Sequence, residues 1–285
     1  MTLQSIYKKA SFLSIIGLLI FSSCDSNNDL DTDIASLLTA EEAKNVILSD
    51  DFSDDIDNVV EDDAKANGFE GKNADSSKNP SGSYLPSCAE RTSEDTATGK
   101  IVTIDFGDGC VGRRGKEFAG KIMIAYVRSG DSYSKTVTFE DFTVNDNTVE
   151  GSKSISKVTA NSNGNPEKNH TVDITVTFTT GEIVTKKGTK TKEKIEGADT
   201  DDRGDDVYSI SGNWESTDKD GVVKTAEITT NLIRTYACRY IVSGIVEITK
   251  DGAAYTLDFG DGSCDNLATL TDANGNVEEI TLRRK

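Results

Sequence analysis

The stretch "VDITVTFT", residues 172–179, alternates Val172, Ile174, Val176 and Phe178 with Asp173, Thr175, Thr177 and Thr179. A strand turns successive side chains to opposite faces, so a period of two predicts a β-strand with one dry and one wet face. Similar runs extend from about residue 85 to the end. They are separated by Asp220-Gly221, Asp251-Gly252 and Asn274-Gly275, dipeptides that accept positive φ in tight hairpins. Gly130-Asp131, Asn145 to Asn147, Asn163-Gly164 and Gly181 read as further turns. The fold class expected is mainly β, an antiparallel meander of roughly ten to fourteen strands. Alternation alone leaves open whether it forms a sandwich, a curved open sheet or a half-barrel.

Two of these runs end almost identically, in "TIDFGDGC" at 103–110 and "TLDFGDGSC" at 256–264. Val102, Ile104 and Phe106 share one strand face, as do Tyr255, Leu257 and Phe259, so each phenylalanine is expected in the core and Asp105 and Asp258 on the other side. The glycines suit a tight turn in which aspartate accepts from nearby amides. The chain has five cysteines. The duplication pairs each block cysteine with one upstream at similar range, Cys88 with Cys110 and Cys238 with Cys264. Such staples stabilise by about 3 kcal/mol each in the chain-entropy model. Calcium at Asp105 with Asp108, or Asp258 with Asp261, is the functional alternative to a structural turn, but calcium takes six to eight oxygens. "STDKDG" at 216–221 and "TDANGN" at 271–276 do not fit an EF-hand loop, and hairpin turns explain them.

The fifth cysteine has a different setting. Lys8 and Lys9 precede an apolar run, Ala10 to Phe21, too short to span a bilayer, and Ser22 and Ser23 lead to Cys24. The Phe-Ser-Ser-Cys ending resembles the lipobox of bacterial lipoproteins, which implies a signal peptide over 1–23 and a lipidated Cys24. More than one acyl chain makes such anchoring stable. Export also implies oxidising surroundings, in which the other four cysteines form disulfides.

Formal net charge is −18, and from Asp25 to Asp75 sixteen Asp or Glu face three Lys. An acidic chain of this kind is a poor partner for nucleic acid, which needs clustered Lys and Arg. Residues 24–70 are read as an acidic tether. Thr39 with Glu42 forms a capping-box pattern, and Ala43, Val46, Ile47, Ile56, Val59 and Val60 recur at helical spacing. One or two short helices are expected, with a possible break at Ser49 to Asp54. Polar and small residues, with two prolines over 71–87, make 71–84 a flexible linker, and the β domain spans 85–285.

Few residues suggest chemistry. The one histidine, His170, lies in a polar stretch beside a strand, there is no CxxC, and no carboxylate pair stands out, so no catalytic residue, metal site or cofactor is assigned. The Gly-rich segment 109–121 lacks the spacing of a phosphate-binding loop. Trp214, with Tyr208 and Ile210 on its strand face, is the ligand-binding candidate as a sugar-stacking platform, core packing being the commoner fate of such a residue. "KKGTKTKEK", 186–194, reads as a charged edge strand that discourages aggregation; it could instead meet an acidic glycan or the chain's own acidic segment. "DTA" at Asp95 to Ala97 resembles an O-glycosylation motif of Bacteroidetes export proteins, with Thr96 as acceptor.

"GKIVTIDFGDGCVGRRGKEFAGKIMIAY", "TFEDFTVNDNTVEGSKSISK", "YSISGNWESTDKDG" and the closing "YTLDFGDGSCDNLATLTDANGNVEEITLRRK" together resemble a family of uncharacterised lipoproteins of Bacteroidetes and flavobacteria. The resemblance covers about residue 85 to the end. It implies a lipid-anchored, β-rich envelope protein with an acidic helical segment after the lipid cysteine, and it implies no activity. Asp25, Asp29, Asp31 and Asp33 resemble the acidic signals that send such lipoproteins to the outer face of the outer membrane. The expected function is non-catalytic, binding a glycan, peptide or envelope partner at the cell surface. The alternative is a periplasm-facing carrier of lipid or of an outer-membrane client, and a carboxylate-dependent hydrolase is the third reading. A carrier requires an unfilled apolar concavity, whereas a surface binder requires exposed loops and aromatics.

Overall fold

The computed structural model describes residues 37–66, 84–129, 132–200 and 202–282. Cys24, the apolar leader and the Asp25 to Asp33 run lie outside the described residues, as do the turn at Gly130-Asp131, residues 67–70 of the tether and 71–83 of the linker.

One helix, α1 (Ala40–Ala66), precedes fourteen strands. These are β1 (Glu90–Thr96), β2 (Gly99–Asp105), β3 (Cys110–Val111), β4 (Glu117–Ser129), β5 (Ser132–Val144), β6 (Asn147–Val158) and β7 (Glu167–Thr177). They continue with β8 (Ile183–Glu196), β9 (Val207–Asp218), β10 (Val223–Thr235), β11 (Ser243–Lys250), β12 (Ala253–Asp261), β13 (Leu267–Thr271) and β14 (Val277–Thr281). All belong to one antiparallel sheet in which neighbours in sequence pair in space, except that short β3 sits on β4 and lets β2 pair β4. No pairing joins β1 to β14 among the described residues, so the sheet is open. Of the shapes left open by the sequence, the curved open sheet is the one observed.

The turns explain the meander. Asp251 and Gly252 have φ of 50° and 80°, and Asn145 and Asp146 have φ of 48° and 62°, so both hairpins use left-handed pairs. The duplicated blocks also behave alike. Gly107 (φ 60°) and Gly260 (φ 92°) take conformations that suit glycine, and their amides donate to the carboxylates of Asp105 (2.8 Å) and Asp258 (2.9 Å). Phe106 and Phe259 are both buried. Each block then leads to a disulfide, Cys88–Cys110 or Cys238–Cys264.

Helix α1 begins at the expected capping box: the Thr39 amide donates to Glu42 (2.9 Å), and the Glu42 amide donates to Thr39 Oγ1 (3.2 Å). It then runs 27 residues without the break expected at Ser49 to Asp54. Ser49 Oγ donates back to the Val46 carbonyl (2.7 Å), and the Asp50 and Asp54 carboxylates are taken by sheet lysines rather than by the helix backbone. The aspartate side chains therefore do not compete with the helical hydrogen bonds.

The helix is buried on nearly every side from Phe52 to Ala64. Its side chains reach Arg91 on β1, Tyr126 on β4, Lys153 on β6, Lys190 on β8, Arg234 on β10 and Lys250 on β11. A single sheet can present so many strands to one helix only by curling around it. The described residues accordingly belong to one compact unit. The interval 24–70 read as a tether thus contains a helix that is the filling of the β domain. Two apolar clusters seat it. Phe52, Ile56, Val59 and Val60 pack with β2 to β7, and Ala43, Val46 and Ile47 pack with β9 to β14.

Candidate functional site: the charged seam inside the sheet

Between the apolar clusters lies a polar seam. On α1 the acids Asp50, Asp54, Asp57 and Glu61 follow each other at four, three and four residues, which places them on one helical face. On β8, Lys186, Lys190 and Lys192 share the inward parity of Val184, and β6, β7 and β10 add Lys153, Lys168, His170 and Arg234. The basic stretch 186–194 is therefore not an edge. Strand β8 lies at the middle of the sheet and meets the chain's own acidic helix, because alternation turns every second residue inward and Lys186, Lys190 and Lys192 fall on that parity.

The contacts are close and mostly dry. Lys190 Nζ lies 2.6 Å from Asp50 and 3.5 Å from Asp54, Lys186 shares Asp50, and Arg234 pairs with Asp54. Lys153 Nζ donates to Asp57 (2.6 Å), to Ser53 Oγ (2.6 Å) and to the Ser53 carbonyl (2.7 Å), which satisfies its three hydrogens. His170 Nδ1 faces the other oxygen of Asp57 at 3.2 Å, while its Nε2 has no hydrogen-bond partner among the described residues. Lys168 holds Glu61 at 2.8 Å.

Protonation follows from this geometry. Burial pushes the four carboxylates up, but the lysines and Arg234 beside Asp50 and Asp54, Lys153 and His170 beside Asp57, and Lys168 beside Glu61 overcome it and hold all four below the ordinary range. Burial lowers Lys186 to about 8 in spite of Asp50, and lowers His170 in spite of Asp57. Lys190, between two aspartates, is raised against the same burial. The acids of the seam are thus held as anions. A proton donor at neutral pH needs the opposite, a carboxyl raised by its surroundings. What the arrangement does is fix the helix within the sheet.

Trp214 is part of this interior. It is 4% exposed and its ring is covered by the Lys186 ammonium at 4.1 Å, so it offers no stacking platform to a ligand. Its expected strand-mates Tyr208 and Ile210 also face inward, Tyr208 donating to Asp206 at 2.8 Å.

The other candidates lie apart from the seam. Thr96 is exposed at the end of β1. Asp105 and Asp258 are engaged with the glycine amides described above, Asp108 is exposed, and Asp261 accepts from Ser263. Among the described residues no group of three or more His, Cys, Asp or Glu side chains converges as a metal site. Sequence reading took up His170 only to set it aside as a catalytic residue, and offered the chain's own acidic segment as the second reading of 186–194, the one the ion pairs with Asp50 match. The signal was present in the parity of His170 and the inward lysines, which is that of Val172 and Val184. No family model matches this chain, and neither a curated protein nor a solved structure is found similar to it.

Proposed function

We propose that this chain is an outer-membrane lipoprotein anchored through Cys24, and that its β domain is a non-catalytic binding module for a glycan, peptide or envelope partner at the cell surface. The observation that carries this reading is the occupied concave face. A curved sheet is a natural cradle for a lipid or a client, but here the chain's own α1 fills it, with apolar clusters at both ends and ion pairs between. Recognition is left to the outer face, the turns and the rims. On β7 and β8 the outward residues Thr171, Asp173, Thr175, Lys187 and Thr189 are polar, which suits a hydrated surface. The periplasmic carrier alternative would need α1 to leave the sheet.

Protease shaving of intact cells tests the reading. The expected result is loss of the β domain while a periplasmic control survives. Protection until the outer membrane is opened would reject surface display and move the search to periplasmic lipids and assembly partners. Cys24→Ser should release the protein from membranes, and persistent attachment would reject the anchor.

A further inference from the structure

Lys192 is the seam's exception. The other seam lysines and Arg234 each meet a carboxylate. The ammonium of Lys192 instead lies over the Tyr208 ring, 4.6 Å from its centroid, with the residue 8% exposed. Asp54 and Glu61 act on it only from a distance, and both are engaged elsewhere, Asp54 by Lys190 and Arg234 and Glu61 by Lys168. Asp206, which accepts from Tyr208, is taken by Lys194 at 2.6 Å. Lys192 forms no close ion pair with a carboxylate among the described residues, so its ammonium keeps donors that an anion in the adjoining cleft can take.

The space beside it can hold one. Lys192 lines a cleft of about 20 Å³ with Asn58, Glu61, Tyr84, Arg234 and Tyr236. Its aromatic walls are fixed by Arg113, whose guanidinium lies 5.0 Å from the Tyr84 ring and 5.2 Å from the Tyr236 ring and donates to Tyr236 Oη at 2.6 Å. A water needs roughly 10–15 Å³ of such space, so the cleft admits one atom of that size. We propose that this cleft is a small-anion site, in which Lys192 donates to a halide ion or to one carboxylate oxygen of an acidic sugar whose bulk stays in solvent. Arg234 and Glu61 also line the cleft, but Arg234 is held by Asp54 and Glu61 by Lys168, which leaves Lys192 as the donor for the occupant. Burial lowers the affinity of Lys192 for its proton, and an anion beside it would restore that affinity. The site does not depend on the surface reading above.

Chloride-35 line broadening by the purified protein provides the test. The expected result is excess line width that is lost in Lys192→Met and kept in Lys187→Met, a lysine on the outward face of the same strand. Loss of the charge-assisted bond should weaken binding roughly tenfold or more. Displacement of the broadening by glucuronate, but not by neutral glucose, would identify the acidic sugar as the source; no displacement would identify the free halide. Equal broadening in both variants, or none in the parent protein together with no heat of glucuronate binding, would overturn the site. A bromide-soaked crystal gives a readout that does not depend on a variant folding. An anomalous peak within hydrogen-bond distance of Lys192 Nζ is expected, and a cleft without one would overturn the proposal.

Discussion

Lys186 and Lys187 are neighbours on β8, and each meets an aspartate, but on opposite faces of the sheet. The Lys186 side chain is 2% exposed and holds Asp50 of the helix; the Lys187 side chain is 61% exposed and stands 3.2 Å from Asp173 on β7. The same two residue types thus make a buried clamp and a surface pair. Water separates the two cases. Inside, taking the charges out of water is expensive, so each depends on its partner; outside, solvent screens the attraction and replaces a lost partner at once. The apolar clusters supply most of the driving force for seating α1, whereas the seam's geometry is met in only one register of helix against sheet.

The largest effect is expected from breaking the clamp at Asp50. Asp50→Ala strands two buried ammonium groups, Lys186 and Lys190, and should cost about 3–5 kcal/mol of unfolding free energy in a denaturant titration. A loss below about 1 kcal/mol, the level of an exposed pair, would mean that water enters the seam and that inside and outside do not differ.

Acid should sharpen the same contrast. The seam carboxylates are depressed in the folded chain, so their contribution is complete above the ordinary carboxylate range near pH 4 and is lost as pH falls through the lower folded values. His170 is depressed as well. The unfolded chain therefore binds its proton first, and stability should begin to fall below about pH 6.5, ahead of the carboxylates. On the basic side Lys186, lowered to about 8, should make stability rise between pH 8 and its ordinary value near 10.5, because there only the unfolded chain keeps the proton. Thermal melts from pH 3 to 10 check both limbs. His170→Gln should remove the decline that begins below about pH 6.5 and leave the carboxylate limb in place; an unchanged profile would show that the histidine is hydrated.

Much of this molecule could be read from single strands and turns. Val172 to Thr179, the Asn-Gly and Asp-Gly hairpins, the Thr39–Glu42 box and the two cysteine pairs are local signals, and the structure reproduces each of them. The seam was harder to see because each half, taken alone, has the ordinary look of a solvated face. Asp50, Asp54, Asp57 and Glu61 resemble the wet side of a helix. Lys186, Lys190 and Lys192 resemble the wet side of a strand until their parity with Val184 is noticed. Only the match between them makes burial affordable, and that match joins segments more than a hundred residues apart. Trp214 could not be resolved for the same reason, since its cover is a lysine that sequence reading had placed outside.

The smallest effect belongs to the outer pair. Asp173→Ala removes the partner of Lys187, whose ammonium stays in water, so the change in stability should be within about 0.5 kcal/mol and should fade as salt is raised through a few tenths molar. The helix clamp should respond differently, since ions cannot enter between Lys153 and Asp57, both nearly inaccessible. Melting the parent protein and the Asp173→Ala variant at low and high salt therefore compares the two faces of one sheet. A difference between the proteins that persists at high salt would mean that the Thr-rich outer surface around Asp173 is covered rather than free, and that the face proposed here for recognition already has an occupant.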